Sequence, residues 1–192
     1  ESESELKLDI KRDATDLGIK TVIEDQSMNI VSGEIEQMKS KLFISRLIDS
    51  MDLKISYYSL GKVLIDEMYK RSTFIVSPQK INHAHYKVPI YFEPFGAQEF
   101  QLRLGDTEKT VTGSFGKSVN LDGSALTLTK TSLYQEDDRN DYFFVLNSQA
   151  ELIDYVSDNL NVDPLNSSAN TIRISFKDHN ALKAQDIVNT ID

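Results

Sequence analysis

The segment NIVSGEIEQMKSKLFISRLIDSM, residues 29–51, has the apolar spacing of an α-helix, but its apolar stripe changes sides partway along. The first half places on one face Val31, Ile35, Met38 and Leu42. The second half places nearly opposite them Ile44, Leu47, Ile48 and Met51. A single straight helix would have to bury both faces, so the pattern predicts a kink or a break near residues 39–41.

The middle of the chain is rich in strand signals. Residues 54–76 combine β-branched and aromatic types around Gly61, which predicts two strands joined by a turn. From residue 87 to residue 146, short alternating runs are separated by turn residues and predict a series of strands. Because Pro89 has no amide donor, it predicts that 87–92 is an edge strand.

The two ends of the chain carry mixed signals. Residues 5–10 alternate as a half-buried strand does. Ser148 and Glu151 have the spacing of a capping box before a helix. Residues 171–177 alternate again as a strand, and a helical pattern follows them to the last residue.

This order of elements predicts an α+β fold. We assign a mixed α/β core to residues 1–84 and 147–192, and a β-rich insertion to residues 85–146. A chain of this length buries a core without disulfides or metals. The sequence starts without an initiator Met, and no Gly, Asn or Pro closes its last helix, so we expect a piece of a longer protein.

Charge and composition exclude several classes of function. The 21 basic and 30 acidic residues give a formal charge of −9, which repels a phosphate backbone and argues against a nucleic-acid partner. The absence of Cys removes thiol nucleophiles and thiolate metal sites. No apolar run approaches the ~18 residues of a membrane-spanning helix. The sequence has no phosphate-binding loop, nucleophile elbow or zinc-protease motif, so we assign no catalytic residue and no cofactor.

Two groups of residues are candidate metal ligands. His83 and His85 would point to the same side of a strand, but a zinc site normally recruits further ligands. The acidic tract 137–141 offers hard oxygen ligands for calcium, but it lacks the spacing of a calcium loop and is typical of a solvated turn. We therefore assign no metal site.

Five tyrosines near the predicted strands allow two interpretations. They form a sugar-stacking surface, or they pack in the core and across strands, as aromatic side chains on strands commonly do. These residues are Tyr57, Tyr58, Tyr69, Tyr86 and Tyr91.

Several segments resemble one protein family. The run from Val31 to Ser40, with the apolar-periodic helix that ends in Met51-Asp52-Leu53, resembles the E-I-E-x-[LM]-K-S…L-N-L signature of polysaccharide co-polymerases. These are the bacterial chain-length determinant proteins and the related tyrosine autokinases of capsule and exopolysaccharide export. Residues 55–62 and 67–70 are similar to the S-Y-Y-x-x-G…E-[LM]-Y pattern of autokinase-type members. Segments that resemble the family's closing run, which enters a long helix, are 160–162, 172–176 and 183–190.

The resemblance has defined departures. Asp52 stands where the signature usually has Asn, and residues 178–181 lack the proline often found at that helix start. Residues 85–146 match no pattern of the family. A kinase nucleotide motif is missing from the 192 residues, so the resemblance implies no enzymatic activity for this chain and leaves open a kinase domain elsewhere in the parent protein.

The resemblance implies a location and partners. Members are inner-membrane proteins with two membrane helices flanking a periplasmic domain; they assemble into rings and govern polysaccharide chain length and export. This chain would be the membrane-proximal periplasmic part. We therefore expect a homo-oligomer in the full-length protein, a parent that spans the membrane, and the polysaccharide and its export and polymerase machinery as partners.

Three functions follow as hypotheses. The first is a non-enzymatic scaffold that acts by oligomeric assembly, in which one face of the 29–51 helix contacts a neighbour, unless a kink buries both faces in one subunit. The second is a carbohydrate-binding module, with Tyr91, Gln101 and Arg103 as candidate glycan contacts. The third is a glycan hydrolase, which would need two carboxylates about 5–9 Å apart in a cleft.

Overall fold

The structure, a computed structural model, describes residues 2–7, 31–61, 64–136, 140–166 and 171–191. It has a mixed α+β fold with a β-rich region, as the sequence predicts. The elements in chain order are β1 (Ser2–Lys7), α1 (31–39), α2 (Lys41–Ser50), β2 (Ile55–Leu60), β3 (Ile65–Glu67), β4 (Phe74–Lys80), a 3-10 helix (His83–His85), β5 (Pro89–Phe95), β6 (Glu99–Leu104), β7 (Thr110–Ser114), β8 (Ser118–Leu121), β9 (Ser124–Lys130), β10 (Asp141–Leu146), α3 (Gln149–Asn159), β11 (Leu160–Asn166), β12 (Thr171–Phe176) and α4 (Ala181–Ile191).

The chain divides into two compact units. Unit 1 comprises Glu1–Met51 and Gln149–Asp192, and unit 2 comprises Asp52–Ser148. The predicted insertion at 85–146 therefore starts too late in the sequence. Strands β2 and β4 precede residue 85, but β2 pairs with β10 and β4 pairs with β9, so their backbone hydrogen bonds hold them in unit 2.

Unit 1 contains a three-stranded antiparallel sheet in the order β1-β12-β11. The alternation predicted for 171–177 is observed, since Ile172, Ile174 and Phe176 are fully buried. Helix α4 packs against β1 and β12, and α2 packs against α3 and α4. The sheet and the four helices thus join segments from both ends of the chain in one unit.

The break predicted near residues 39–41 is present. Ser40 has an extended backbone between α1 and α2, and its hydroxyl accepts a hydrogen bond from the Phe43 N–H at 3.3 Å, as an N-cap residue does. The break turns both apolar stripes inward, with Val31, Ile35 and Met38 buried on the first and Ile44, Leu47 and Ile48 on the second. Leu42, which is 64 % exposed, and Met51, which is half-buried, are the exceptions. The two-sided pattern is therefore explained within one chain.

Unit 2 is a β-sandwich of two antiparallel sheets. The larger sheet has the order β3-β2-β10-β5-β6-β7, and the smaller has the order β4-β9-β8. The hairpin predicted around Gly61 is confirmed as β2 and β3. The predicted edge strand at 87–92 is wrong: β5 lies between β10 and β6. Pro89 is tolerated because it is the first residue of the strand, where its carbonyl still accepts from the Gly105 N–H at 2.8 Å.

The core of the sandwich is centred on Phe74 of β4, which is fully buried. Its ring stacks on Phe92 with centroids 4.1 Å apart and meets Tyr57, Tyr142 and Phe144 edge-on. Aromatic pairs in these geometries add attraction beyond the area that they bury. One face of the six-stranded sheet is thus buried in the sandwich core. The opposite face is turned away from that core.

Some sequence predictions lie outside the described residues. They concern the first two residues of the helix predicted at 29–51, the end of the strand predicted at 5–10, residues 137–139 of the acidic turn and the last residue. Among the described residues, no helix is long and apolar enough to cross a membrane.

Candidate functional site

The candidate site lies on the outer face of the six-stranded sheet, meaning the face turned away from the sandwich core. Side chains alternate between the two faces of a strand, so Ile90 and Phe92 of β5 enter the core while Tyr91 and Glu93 point outward. The same alternation on β2, β6 and β10 sends outward Tyr58, Leu60, Gln101, Arg103, Asp141 and Phe143.

One row of these side chains crosses the sheet. The strand registers place Tyr58 opposite Phe143, Phe143 opposite Tyr91, and Tyr91 opposite Arg103. Tyr58 and Phe143 stack with centroids 4.7 Å apart, and Tyr91 lies 5.7 Å from Phe143 in a tilted arrangement. The Arg103 guanidinium sits over the Tyr91 ring at 4.2 Å, within the range of a cation–π interaction. We call these four residues the aromatic row.

A second row runs beside the first and is more polar. Leu60 pairs with Asp141, and Glu93 pairs with Gln101. Tyr142 pairs with Phe92, so the antiparallel register brings Asp141 next to Glu93 at the end of that ladder. We call Leu60, Asp141, Glu93 and Gln101 the polar row. Two carboxylates and an amide therefore lie together on neighbouring strands.

A pocket of about 260 Å³ lies on this face. It is lined by all four residues of the polar row, by Tyr91 and Arg103 of the aromatic row and by Thr110, with Phe92, Leu102 and Tyr142 completing the wall. The three candidates named from the sequence, Tyr91, Gln101 and Arg103, are thus brought together in one pocket.

Sequence reasoning missed four outward residues of the pocket wall: Leu60, Glu93, Thr110 and Asp141. Glu93 could have been identified from the sequence, because it is two residues from Tyr91 on the same strand and so lies on the same face of the sheet. Leu60 and Asp141 required the pairing of strands more than 80 residues apart along the chain, which no local pattern contains.

The Arg103 side chain is held by two partners. Besides stacking on Tyr91, its Nη1 donates to the Gly105 carbonyl at 2.5 Å. Gly105 has a φ of +51°, a backbone conformation that glycine adopts without strain, and this turn brings its carbonyl within reach of Arg103. Arg103, the one cation among the described residues of the pocket wall, therefore already has part of its hydrogen-bonding and stacking capacity taken up by protein groups.

The other tyrosines weighed as stacking residues do not share this face. Tyr69 is buried, and Tyr57 and Tyr86 pack against the sandwich core. Tyr57 Oη accepts from the Val76 N–H at 2.9 Å. Burial raises the pKa of Tyr57 to about 12; the Val76 hydrogen bond opposes this rise and the Asp52 charge adds to it. Tyr57, Tyr69 and Tyr86 are therefore packing residues, whereas Tyr58 and Tyr91 lie on the outer face, where they contact Phe143 across the strands.

The two histidines considered as metal ligands, His83 and His85, have different environments. They lie in a 3-10 helix and not in a strand; His83 is exposed and His85 is 1 % exposed. His85 Nδ1 is 2.8 Å from Ser124 Oγ, and its Nε2 is 3.7 Å from Asp122 Oδ2. Ser124 is fully buried, so no substrate can reach its hydroxyl and the group serves to join two loops. Among the described residues, no group of three or more His, Asp or Glu side chains has the geometry of a metal site.

Unit 1 contains a buried ion pair. Lys183 Nζ, in the first turn of α4, lies 3.1 Å from Asp178 Oδ2, and both side chains are nearly inaccessible to solvent. Tyr155 donates to the same carboxylate oxygen, and Asp178 Oδ1 also accepts from the Asn180 N–H. A cation is disfavoured at a helix N-terminus, so the Asp178 charge compensates Lys183. We assign this cluster to the docking of α4.

The chemistry available on the outer face is recognition of a hydroxyl-bearing ligand. Aromatic faces contact the apolar faces of sugar rings, and carboxylate and amide oxygens accept hydrogen bonds from hydroxyls. Asp141 and Glu93 are two carboxylates on neighbouring strands, but both are exposed, whereas a glycosidase's general acid is kept protonated in an apolar pocket. The arrangement therefore favours binding over hydrolysis.

Comparison with known proteins adds no further identification. No protein-family model matches the sequence, and no curated protein matches it.

Proposed function

We propose that this chain is the periplasmic, membrane-proximal scaffold domain of an inner-membrane polysaccharide co-polymerase. It would control the chain length and export of capsule or exopolysaccharide through homo-oligomeric assembly. The proposal assigns no enzymatic step to the chain, because its contribution is the shape of the assembly.

One observation carries this proposal. The signature helix, 31–51, and the segment that resembles the closing run, 160–191, are more than 100 residues apart, yet both fold into unit 1, whereas the similar segments 55–62 and 67–70 lie in unit 2. They meet where α4 packs against α2. A shared unit for the signature helix and the closing run is what we expect if the resemblance reflects one core built from both ends of the chain.

The test is the mass of the full-length protein. Native mass spectrometry of the membrane-embedded protein, released in a mild detergent, should give a closed homo-oligomer; a strict monomer would refute the scaffold proposal. The absence of Cys from this chain permits single-cysteine cross-linking in membranes. The yield of cross-linked subunits is compared between two variants. Leu42→Cys lies on the exposed side of α2, and the matched control Ile48→Cys is fully buried on the same helix.

A second candidate function is direct contact with the glycan. The observation that favours it is the convergence of Tyr91, Gln101 and Arg103 in one pocket with two carboxylates. Titration of the 192-residue chain with the native polysaccharide, followed by amide chemical shifts, should move resonances of the outer face and leave those of unit 1 in place.

Variants sharpen this titration. Gln101→Ala should weaken binding, whereas Thr129→Ala, an exposed change on β9 of the other sheet, should not. Shifts confined to unit 1, or none, would contradict glycan contact at this pocket. Shortening of the polysaccharide during the titration would instead support the hydrolase.

A further inference from the structure

The pocket on the outer face has an unbalanced charge. Its wall contains two carboxylates, Glu93 and Asp141, on adjacent strands, and both are exposed. Arg103, the single cation that the described part of the chain contributes to the wall, is stacked on Tyr91 and donates to the Gly105 carbonyl. A ligand entering the pocket therefore meets a negative surface with one partly satisfied positive charge.

We infer that this pocket takes an uncharged sugar and discriminates against acidic sugars. The inference rests on the proposed glycan contact and specifies its ligand class. Carboxylates accept hydrogen bonds from neutral hydroxyls, and such charge-assisted bonds are stronger than neutral ones. A sugar carboxylate offers them no proton at neutral pH and brings a like charge to the same place.

The polar row presents hydrogen-bonding side chains on neighbouring strands. Glu93 and Asp141 are acceptors, whereas Gln101 on the next strand is both donor and acceptor. Neighbouring strands are about 4.8 Å apart, so these groups form a short line across the sheet beside the aromatic row. A sugar ring that lies along this line places its hydroxyls on the polar row and an apolar edge towards Tyr91.

The size of the discrimination follows from Coulomb's law. Two like charges about 4 Å apart repel appreciably even in water, and more strongly at a partly shielded protein surface. We therefore expect an acidic oligosaccharide to bind at least about tenfold more weakly than its uncharged counterpart at low ionic strength. Added salt should narrow the difference, because it screens exposed charges.

The experiment compares matched pairs of probes on the 192-residue chain. Uncharged gluco-, galacto- and manno-oligosaccharides are titrated beside the glucuronate, galacturonate and mannuronate oligomers of equal length. Amide shifts report both the affinity and the place of binding. The inference predicts that at least one uncharged series shifts resonances of the polar row and that its acidic counterpart binds about tenfold more weakly or not at all.

Variants that remove a carboxylate charge test whether the carboxylates cause the difference in affinity between uncharged and acidic sugars. Glu93→Gln and Asp141→Asn each remove one negative charge, so each should narrow the gap between the uncharged and acidic probes severalfold. Asp154→Asn makes the same charge change on an exposed site of α3 in unit 1 and should leave the gap unchanged.

The outcomes separate the inference from the proposal on which it rests. Equal or tighter binding of the acidic probes at the pocket would overturn the ligand class and leave the glycan contact standing. If neither the oligosaccharides nor the native polysaccharide shifts any resonance of the outer face, both are overturned.

Discussion

Alkaline pH should destabilise unit 2 through one buried phenol. Burial raises the pKa of Tyr57 to about 12, whereas an unfolded tyrosine has a pKa of about 10. The folded state therefore holds the proton more tightly than the unfolded state does. The resulting stabilisation is complete below pH 10 and is lost as the pH rises from about 10 to about 12.

The magnitude follows from the two pKa values of about 10 and about 12. Linkage gives a loss of about 1.4 kcal/mol between pH 8 and pH 11, and of about 2 kcal/mol by pH 12. Tyr57→Phe abolishes this dependence, but it also removes the acceptor of the Val76 N–H, which costs about 1 kcal/mol at neutral pH. The wild-type chain should thus be more stable than the variant at pH 8, and the two should become equal near pH 11.

The assay is urea unfolding of both chains between pH 8 and pH 11, followed by methyl NMR of core residues in unit 2 such as Ile90 and Leu102. The ultraviolet absorbance of tyrosinate, compared between the two chains, reports the ionisation of Tyr57 directly. Asp52→Asn should preserve most of the drop, because burial is the larger cause. If wild type and Tyr57→Phe lose the same stability between these pH values, the reasoning is refuted.

Three further substitutions test the packing within unit 2 and within unit 1. The free energy of unfolding of each variant is measured by equilibrium unfolding. Gly113→Ala places a Cβ 2.6 Å from the Phe100 ring and should cost about 1–3 kcal/mol through overpacking of the sandwich. Phe74→Ala removes the central ring of the same core and should cost about 3–5 kcal/mol. Asp178→Asn leaves the Lys183 charge buried without its counter-charge and should cost about 3–5 kcal/mol in unit 1.

Each of these changes has a matched control. Gly33→Ala, on α1 with open space around its Cβ, should stabilise by up to about 1 kcal/mol. Phe95→Ala affects a ring that is 55 % exposed and should cost far less than Phe74→Ala. Asp154→Asn changes an exposed carboxylate and should stay within about 0.5 kcal/mol of wild type. Equal effects in a test variant and its control would contradict the assigned packing.

Local features of the fold could be predicted from local sequence. The break at Ser40 is visible in the sequence because the apolar stripe changes sides near residues 39–41. The start of α3 at Gln149 was visible from the capping-box spacing of Ser148. Both depend on residues within a few positions of each other, so the sequence contains all of the information.

Features that depend on strand pairing could not be predicted in the same way. Pro89 indicated an edge strand, yet β5 is central, because a proline at the first position of a strand removes only one ladder bond. The boundary of unit 2 was placed at residue 85 instead of Asp52, because β2 and β4 find their partners far along the chain.

The candidate site shows the same division. Tyr91 was recognised from residue type and strand position, whereas its neighbour Asp141 comes from a strand about 50 residues away. Residue type and strand position make Arg103 a candidate glycan contact, but its stacking on Tyr91 and its hydrogen bond to Gly105 appear only in three dimensions. The sequence therefore identified part of the pocket but not its charge balance.

The most direct test of the scaffold proposal is made in the cell that produces this protein. The gene for the full-length protein is replaced by one in which unit 2, Asp52–Ser148, is exchanged for a short flexible linker, and a strain without the gene serves as reference. Surface polysaccharide from each strain is separated by size on a gel. We expect both changes to alter the length distribution or stop export; an unchanged distribution in the strain that lacks the gene would contradict the proposed role in polysaccharide assembly.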